Sequence, residues 1–182
     1  MTTPILINWV SQYQYPNNLP SFKYFIKVKS ININGRMVSF NTLLLSFDKN
    51  EKRIGGTKIN TATPYIVLHT NIYNAFLDVF VMSATTMKIE RVELVAPFGA
   101  CFNSKTIRTT VGGQDVLTID LVLESSSVYW RIYRHNPMVR VKKDVMCLAF
   151  VDGGSRPWTS IVIGGHMLED NFLEFDLASL EL

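Results

Sequence analysis

The chain of 182 residues has little cysteine and little excess of charge. Its two cysteines are too few for a disulfide-dense small scaffold or a four-cysteine zinc site. The 18 Lys and Arg residues nearly balance the 15 Asp and Glu residues, which argues against nucleic acid or an anionic membrane surface as a partner. Only 18% of the residues are charged and 47% are hydrophobic, so we expect a folded chain with a sizeable core.

The sequence also predicts neither a targeting segment nor a membrane span. Residues 1–22 contain no charged side chain, so we do not expect them to be the positively charged start of a secretory signal peptide. The uncharged stretch 59–77 contains many polar residues, among them Asn60, Thr63 and Asn71, and does not have the composition of a membrane span. We therefore expect no membrane partner.

No pattern for a metal or a cofactor is present. His69, His135 and His166 lie far apart, without the spacing of a zinc hydrolase, and are expected to be surface or capping residues. Eight of the ten glycines form four pairs, none of which fits a phosphate-binding or dinucleotide-binding loop. The sequence predicts no metal and no cofactor.

Alternation of apolar and polar residues predicts a mostly β fold with eight or more strands. Two alternating runs flank Asn34-Gly35, a strong signal for a two-residue hairpin turn. In the run 128–133, Trp130 and Arg131 should face opposite sides of a sheet. Further strands are predicted at 116–124, 145–151, 160–163 and 172–177.

One helix is predicted after Thr70, the expected N-cap. Its apolar positions have the spacing of a helix face, and they are Ile72, Ala75, Phe76, Val79 and Phe80. A second, short helical turn is expected at 167–171.

The basic residues between 131 and 143 have two interpretations. They are Arg131, Arg134, Arg140, Lys142 and Lys143, with Trp130 and Tyr133 among them. They could form a nucleic-acid platform or a solvated strand face, and the balanced overall charge favours the solvated face.

The two cysteines also leave alternatives open. A Cys-His nucleophile is one of them, but Cys147 lies in the apolar run 145–151, where a thiol is buried and inert. A disulfide between Cys101 and Cys147 is the better interpretation and indicates an oxidising compartment.

Several longer motifs resemble one protein family. They are Gly55–Tyr65, Ala96–Phe102, Thr118–Leu123, Leu148–Gly154 and Ser160–Asn171. Together they are similar to the C-terminal lobe of pepsin-like aspartic proteases. Within these, they resemble the catalytically silent plant subgroup of xylanase inhibitors, extracellular dermal glycoproteins and basic globulins (gamma-conglutins). The resemblance extends from about Phe22 to Leu177.

The resemblance implies a closed, barrel-like pepsin-type lobe with one or two short helices and a psi-shaped loop. In that arrangement a strand with the motif Val162, Ile163 and Gly164 crosses the loop that carries the catalytic Asp in an active protease. It also implies that residues 1–21 are an inter-lobe segment and that 22–182 are the lobe, truncated before the family's C-terminal tail.

The protease motif is degenerate in this chain. The position of the catalytic Asp holds Asn60, followed by Thr61 and by Ala62 in place of glycine. Aspartic proteolysis needs two carboxylates that share a proton, and the second would come from an N-terminal lobe that this chain lacks. We therefore expect no enzyme activity and no catalytic residue.

For the inhibitor-like relatives, the resemblance implies binding to microbial cell-wall-degrading glycosidases, xylanases or xyloglucan endoglucanases, through a basic residue placed between two catalytic carboxylates. The inhibitory arginine of the dermal-glycoprotein type aligns with Val111 here, and Arg108 and Lys105 are the nearby candidates. The expected partners are a glycoside hydrolase or the chain's own N-terminal lobe. The expected location of the full-length protein is extracellular or in the secretory pathway.

Two other functions compete with inhibition. The chain could be one lobe of a working aspartic endopeptidase, completed by a missing N-terminal lobe, but Asn60 opposes this. It could also be a seed storage or stress globulin with no enzyme target.

Overall fold

A computed structural model describes residues 3–6, 24–47, 55–110, 113–123, 127–132, 136–169, 171–179 and 182. These ranges contain sixteen short strands and a 17-residue helix, α1, at Thr70–Thr86. The strands are β1 Ile5–Leu6, β2 Phe25–Ile26, β3 Ser30–Ile33, β4 Arg36–Met37, β5 Thr57–Asn60, β6 Ile66–Leu68, β7 Arg91–Val92, β8 Cys101–Asn103, β9 Thr109–Thr110, β10 Gly113–Gln114, β11 Ile119–Val122, β12 Tyr129–Ile132, β13 Met138–Lys142, β14 Val145–Leu148, β15 Phe150–Asp152 and β16 Ile161–Gly164. Short 3-10 helices lie at Thr42–Leu45, Ser104–Thr106 and Gly165–Met167.

The largest sheet has six strands in the order β1-β2-β5-β16-β6-β15. β16 is parallel to β5 and antiparallel to β6, which are consecutive in the chain. A late strand therefore passes between two early ones, beneath the loop that joins them. This is the psi-shaped arrangement that the family resemblance implies.

The remaining strands form two four-stranded sheets, β12-β11-β3-β4 and β13-β14-β8-β7, and the β9–β10 hairpin. The predicted turn between β3 and β4 is confirmed. Asn34 and Gly35 both have positive φ, of 47° and 77°. Two such residues give a turn whose twist matches that of the flanking strands. The mostly β fold class is also confirmed.

Helix α1 joins two of the sheets into one core. Phe76 stacks on Phe150 of β15 at 4.5 Å between ring centroids, and Phe80 lies 6.0 Å from Phe102 of β8. The buried helix residues are Ile72, Tyr73, Phe76, Phe80 and Ala84. The predicted helix is thus confirmed, although its partly exposed positions Ala75 and Val79 border the buried face. Within the described ranges, no helix combines the length and apolar character needed to cross a membrane.

The predicted N-cap of α1 was wrong by one residue. His69 is the N-cap, and its Nδ1 accepts a hydrogen bond from the backbone N–H of Asn71. Thr70 is the first helical residue, and its hydroxyl donates to Asp152 at 2.7 Å. A side chain from another element therefore takes the hydroxyl that was expected to cap the helix.

Three other predicted elements differ in the structure. The run 145–151 is divided at Ala149 into β14 and β15, which belong to different sheets. Among the described residues, the segment 172–177 has no ladder apart from a single bridge at Asp176. Phe175 packs against Tyr24, while Phe172 and Leu177 are exposed. The short helical turn occupies Gly165–Met167 and shares only Met167 with the predicted turn at 167–171.

Candidate functional site

The psi loop, residues 61–65, connects β5 to β6 and is held by backbone hydrogen bonds from the chain that crosses it. The N–H of Gly165 donates to the carbonyl of Thr63 at 2.7 Å, and the N–H of His166 donates to that of Pro64 at 2.9 Å. In the parallel pair below, Gly164 lies opposite Asn60. The end of β16 thus pairs directly with Asn60, the first residue of the degenerate protease motif.

The crossing is too close for a side chain on Gly164. A Cβ atom there would lie 2.2 Å from the carbonyl oxygen of Tyr65 and 2.6 Å from that of Thr63. The two preceding residues of the motif are Val162, half-buried, and Ile163, fully buried. Their alternation places Ile163 in the core and Gly164 against the loop.

Asn60 ends β5 and is half-buried, with both ends of its amide engaged. Its Nδ2 donates to the hydroxyl of Thr63 at 2.8 Å, and its Oδ1 accepts from the N–H of Ala62 at 3.1 Å. Thr61 and Ala62 are exposed at the tip of the loop. The Asn60 side chain maintains the loop, but an amide has no titratable proton near neutral pH.

A cleft of about 370 Å³ opens beside Asn60. Its lining residues, mostly apolar, are Tyr24, Lys58, Ile59, Asn60, Thr61, Leu168, Leu173 and Phe175. The rings of Tyr24 and Phe175 lie 4.3 Å apart. The cleft offers an apolar surface with an amide at its edge and no carboxylate among its lining residues.

The two candidate basic residues lie on one loop with different surroundings. Lys105 pairs at 2.8 Å with Asp144, which lies in the turn between β13 and β14. Arg108 is exposed, precedes β9, and its carbonyl accepts from the N–H of Asp115 at 2.7 Å, closing the base of the β9–β10 hairpin. Among the described residues, the Arg108 guanidinium has no ion-pair partner. Val111 lies outside the described residues.

The predicted disulfide between Cys101 and Cys147 is present, and it excludes a free-thiol nucleophile. The two cysteines lie directly opposite each other on β8 and β14 and are fully buried. Half-buried valines surround them on the outer face of that sheet, including Val92, Val139 and Val145.

The basic stretch does not form an aromatic platform around Trp130. This tryptophan is buried, and Arg131 makes two hydrogen bonds to the buried carboxylate of Asp120, at 2.7 and 2.9 Å. These bonds raise the pKa of the Arg131 guanidinium above its ordinary value. Arg140 and Lys142 are exposed on β13, in a different sheet. Tyr133 and Arg134 lie outside the described residues, and Lys143 follows β13.

Of the two described histidines, one caps a helix and the other contacts two neighbouring residues. His69 caps α1, and His166 contacts the carbonyl of Met138 at 3.2 Å and the carboxylate of Glu169 at 3.3 Å. His135 lies outside the described residues. In the part of the chain that the structure describes, no three His, Cys, Asp or Glu side chains are grouped as metal ligands.

Sequence reasoning missed three pairs: Asp120–Arg131, Lys105–Asp144 and His166–Glu169. The register of the 119–132 hairpin was the signal for the first, because it places Asp120 opposite Arg131. The Lys105–Asp144 pair joins parts of the chain that are distant in sequence, and no local sequence pattern predicts it.

Comparison with known proteins agrees with this geometry. Residues 23–182 match the family model "Xylanase inhibitor C-terminal". The chain is 51% identical over 181 residues to "Probable aspartic proteinase GIP2" of Nicotiana benthamiana, covering 99% of this chain and 40% of that protein. It is 44% identical over 161 residues to "Gamma conglutin 1" of Prunus dulcis, covering 88% and 35%.

Solved structures show the same likeness. "Crystal structure of edgp" superimposes with a TM-score of 0.92 at 50% identity, covering 99% of this chain and 43% of that one. Basic 7S globulin from soybean gives a TM-score of 0.75 at 32% identity, covering 99% and 42%. The chain thus spans about two fifths of the length of these relatives. It belongs to the xylanase inhibitor C-terminal family, with a pepsin-like fold.

Proposed function

We propose that the chain is a non-catalytic pepsin-like lobe that binds and inhibits cell-wall-degrading glycosidases, such as xylanases or xyloglucan endoglucanases. The observation that carries this proposal is Asn60, an amide at the position that the family resemblance assigns to the catalytic Asp. Asn60 is found in a chain that belongs to the family described as "Xylanase inhibitor C-terminal".

The chemistry of aspartic proteolysis requires a carboxylate that takes a proton from water. Asn60 has no titratable proton near neutral pH, and both ends of its amide are already bonded to Thr63 and Ala62. The loop keeps its shape without a general base, which supports binding rather than catalysis.

The same chemistry suggests how a glycosidase is bound. The active sites of most glycoside hydrolases contain two carboxylates flanking the scissile bond. A planar guanidinium can bond a carboxylate with two parallel N–H groups, which makes arginine well suited to occupy such a site. Arg108 is the better candidate, because it is exposed at the base of a hairpin while the charge of Lys105 is compensated by Asp144.

The disulfide supports an extracellular or secretory location for the full-length protein, since such bonds persist in oxidising compartments. The apolar cleft beside Asn60 supports a second proposal about partners, that the chain packs there against its own N-terminal lobe. Neither nucleic acid nor a membrane is proposed as a partner.

A substitution at Arg108 tests the inhibitor function. We expect the protein to inhibit a microbial xylanase or a xyloglucan endoglucanase at micromolar concentration, and we expect Arg108→Ala to weaken inhibition by about 10-fold or more, because a charged pair in the catalytic cleft is lost. The measurement is the inhibition constant from initial rates, with each enzyme in turn.

Lys105→Ala is the matched control, since it removes a positive charge from the same loop. We expect it to change the inhibition constant by less than about threefold, because Asp144 already compensates the charge of Lys105. Absence of inhibition of both enzyme classes, by this chain and by its full-length form, would contradict the proposal.

The likeness to "Gamma conglutin 1" favours a second candidate, a storage-type globulin without an enzyme target. This candidate predicts no inhibition and no effect of Arg108→Ala. The names of other relatives suggest an aspartic proteinase, for which cleavage of a peptide at acid pH, blocked by a statine-type inhibitor, is the test.

A further inference from the structure

Arg108 lies between a buried residue and a short hairpin. Ile107, which precedes it, is 4% exposed and packs in the main core. After Arg108, β9 and β10 contain two residues each and, among the described strands, pair only with each other. A two-stranded pair of this length is marginally stable without other support. The position of Arg108 on the surface therefore depends mainly on the segment that precedes it, residues 103–107.

A closed ring of hydrogen bonds attaches this segment to the residue before β7. The hydroxyl of Thr106 donates to the carbonyl of Asn103 at 2.8 Å and accepts from the backbone N–H of Glu90 at 2.9 Å. The backbone N–H of Asn103 donates to the carbonyl of Glu90 at 2.9 Å, which closes the ring. Thr106 contributes the ring's one side chain, and a hydroxyl can donate and accept at the same time.

The side chain of Asn103 adds two bonds to the same segment. Its Nδ2 donates to Oε2 of Glu90 at 2.8 Å, and its Oδ1 accepts from the N–H of Lys105 at 3.1 Å, which caps the 3-10 helix Ser104–Thr106. Both Asn103 and Thr106 are half-buried, whereas Arg108 is exposed. No sequence motif indicated a role for Asn103 or Thr106.

We propose that Thr106 and Asn103 are positioning residues, which hold Arg108 where it can enter the carboxylate-lined cleft of a glycosidase. This inference rests on the proposed inhibitor function and adds to it the residues that prepare the contact. A loop that is ordered in the free protein loses little conformational freedom when the complex forms. The hydrogen-bond ring therefore strengthens binding through Arg108.

Thr106→Val tests this role, because valine keeps the shape of threonine but neither donates nor accepts a hydrogen bond. We expect the inhibition constant to rise by about threefold to tenfold, since ordering of the loop then becomes part of binding. Thr106→Ser restores the hydroxyl and should stay within about twofold of the wild type. Thr70→Val is the matched control, since it removes a hydroxyl bond to Asp152 at the start of α1. It should change inhibition by less than about 1.5-fold.

A double variant shows whether Thr106 acts through Arg108. In the Arg108→Ala background, Thr106→Val should change the inhibition constant by less than about 1.5-fold, because no guanidinium remains to be positioned. The free protein gives a second measurement. We expect ¹⁵N relaxation to show a lower order parameter for the Arg108 amide in Thr106→Val than in the wild type or in Thr70→Val.

The outcomes separate the positioning role from the inhibitor function itself. If the wild type inhibits neither enzyme class, or if Arg108→Ala inhibits as well as the wild type, the proposed function and the positioning role fail together. The positioning role alone is overturned if Arg108→Ala loses inhibition but Thr106→Val does not. It is also overturned if Thr106→Val has the same effect in both backgrounds, if Thr106→Ser does not restore inhibition, or if the order parameter of Arg108 does not change.

Discussion

At Gly164 the chain passes so close to the psi loop that only hydrogen fits in place of a side chain. The atoms that a Cβ would meet, at 2.2 and 2.6 Å, are backbone carbonyl oxygens, which cannot rotate away as a side chain could. The identity of this residue is therefore set by the distance between two backbone segments rather than by its own backbone conformation. Its role differs from that of Gly35, which provides a positive φ in a turn.

Replacing Gly164 by alanine should destabilise the fold by about 3 kcal/mol or more, because β16 or the loop must move to relieve the overlap. Gly165→Ala is a matched control one residue later. Its Cβ would come no closer than 3.2 Å, to the carbonyl oxygen of Thr61, so we expect a cost of about 1 kcal/mol. Urea denaturation of the two variants gives the comparison, and equal stabilities would contradict the explanation.

The identity of Asn60 alone predicts the chemistry of its position, but not every contact in the site can be predicted in this way. The family resemblance locates the position, and the chemistry of an amide is sufficient to exclude a general base there. The bonds from Asn60 to Thr63 and Ala62 are local, within three residues, and are of a kind that asparagine commonly forms in turns. By contrast, the compensation of Lys105 by Asp144 depends on how two distant loops meet, and no sequence pattern encodes it.

At the scale of elements, the hairpin of β11 and β12 is joined by the Asp120–Arg131 pair. The side chain of Asp120 is 10% exposed, while 44% of the Arg131 side chain is exposed. Removing the guanidinium takes two hydrogen-bond donors away from a buried carboxylate.

We expect Arg131→Met, which retains the apolar stem, to destabilise the protein by about 1–2 kcal/mol at neutral pH, a value reduced by the partial exposure of the pair. Arg140→Met on β13 removes the same charge from an exposed position and should cost less than about 0.5 kcal/mol. Thermal and urea denaturation of both variants test this. If Arg131→Met destabilises the protein no more than Arg140→Met does, the Asp120–Arg131 pair does not contribute to the free energy of unfolding.

Elements with a local signal were predictable, and those defined by distant partners were not. Asn34-Gly35 determines its turn, and the spacing of Phe76 and Phe80 determines the helix face. The apolar run around Ala149 is compatible with one strand or two, and only the positions of the neighbouring sheets divide it. The segment 172–177 alternates like a strand, but a strand also needs a partner with free backbone groups.

At the scale of the whole molecule, the disulfide joins two strands of one sheet and closes a long loop. Cys101 and Cys147 are 46 residues apart, and the chain between them contains β9 to β13. In the chain-entropy model, a cross-link over a loop of this length stabilises the fold by about 4 kcal/mol, because it restricts the unfolded state. The bond therefore acts on much of the lobe and not only on the β8–β14 pair.

Replacing both cysteines by alanine should accordingly lower the free energy of unfolding by about 3–4 kcal/mol, measured by urea denaturation without reductant. The wild-type protein unfolded and refolded with reductant present should show a similar loss, since it lacks the same cross-link. Because both cysteines are fully buried, a thiol reagent with mild reductant should detect no free thiols in the native protein until urea begins to unfold it. A loss below about 1 kcal/mol in the alanine variant would mean that the packing of the sheet, rather than the cross-link, holds this part of the lobe together.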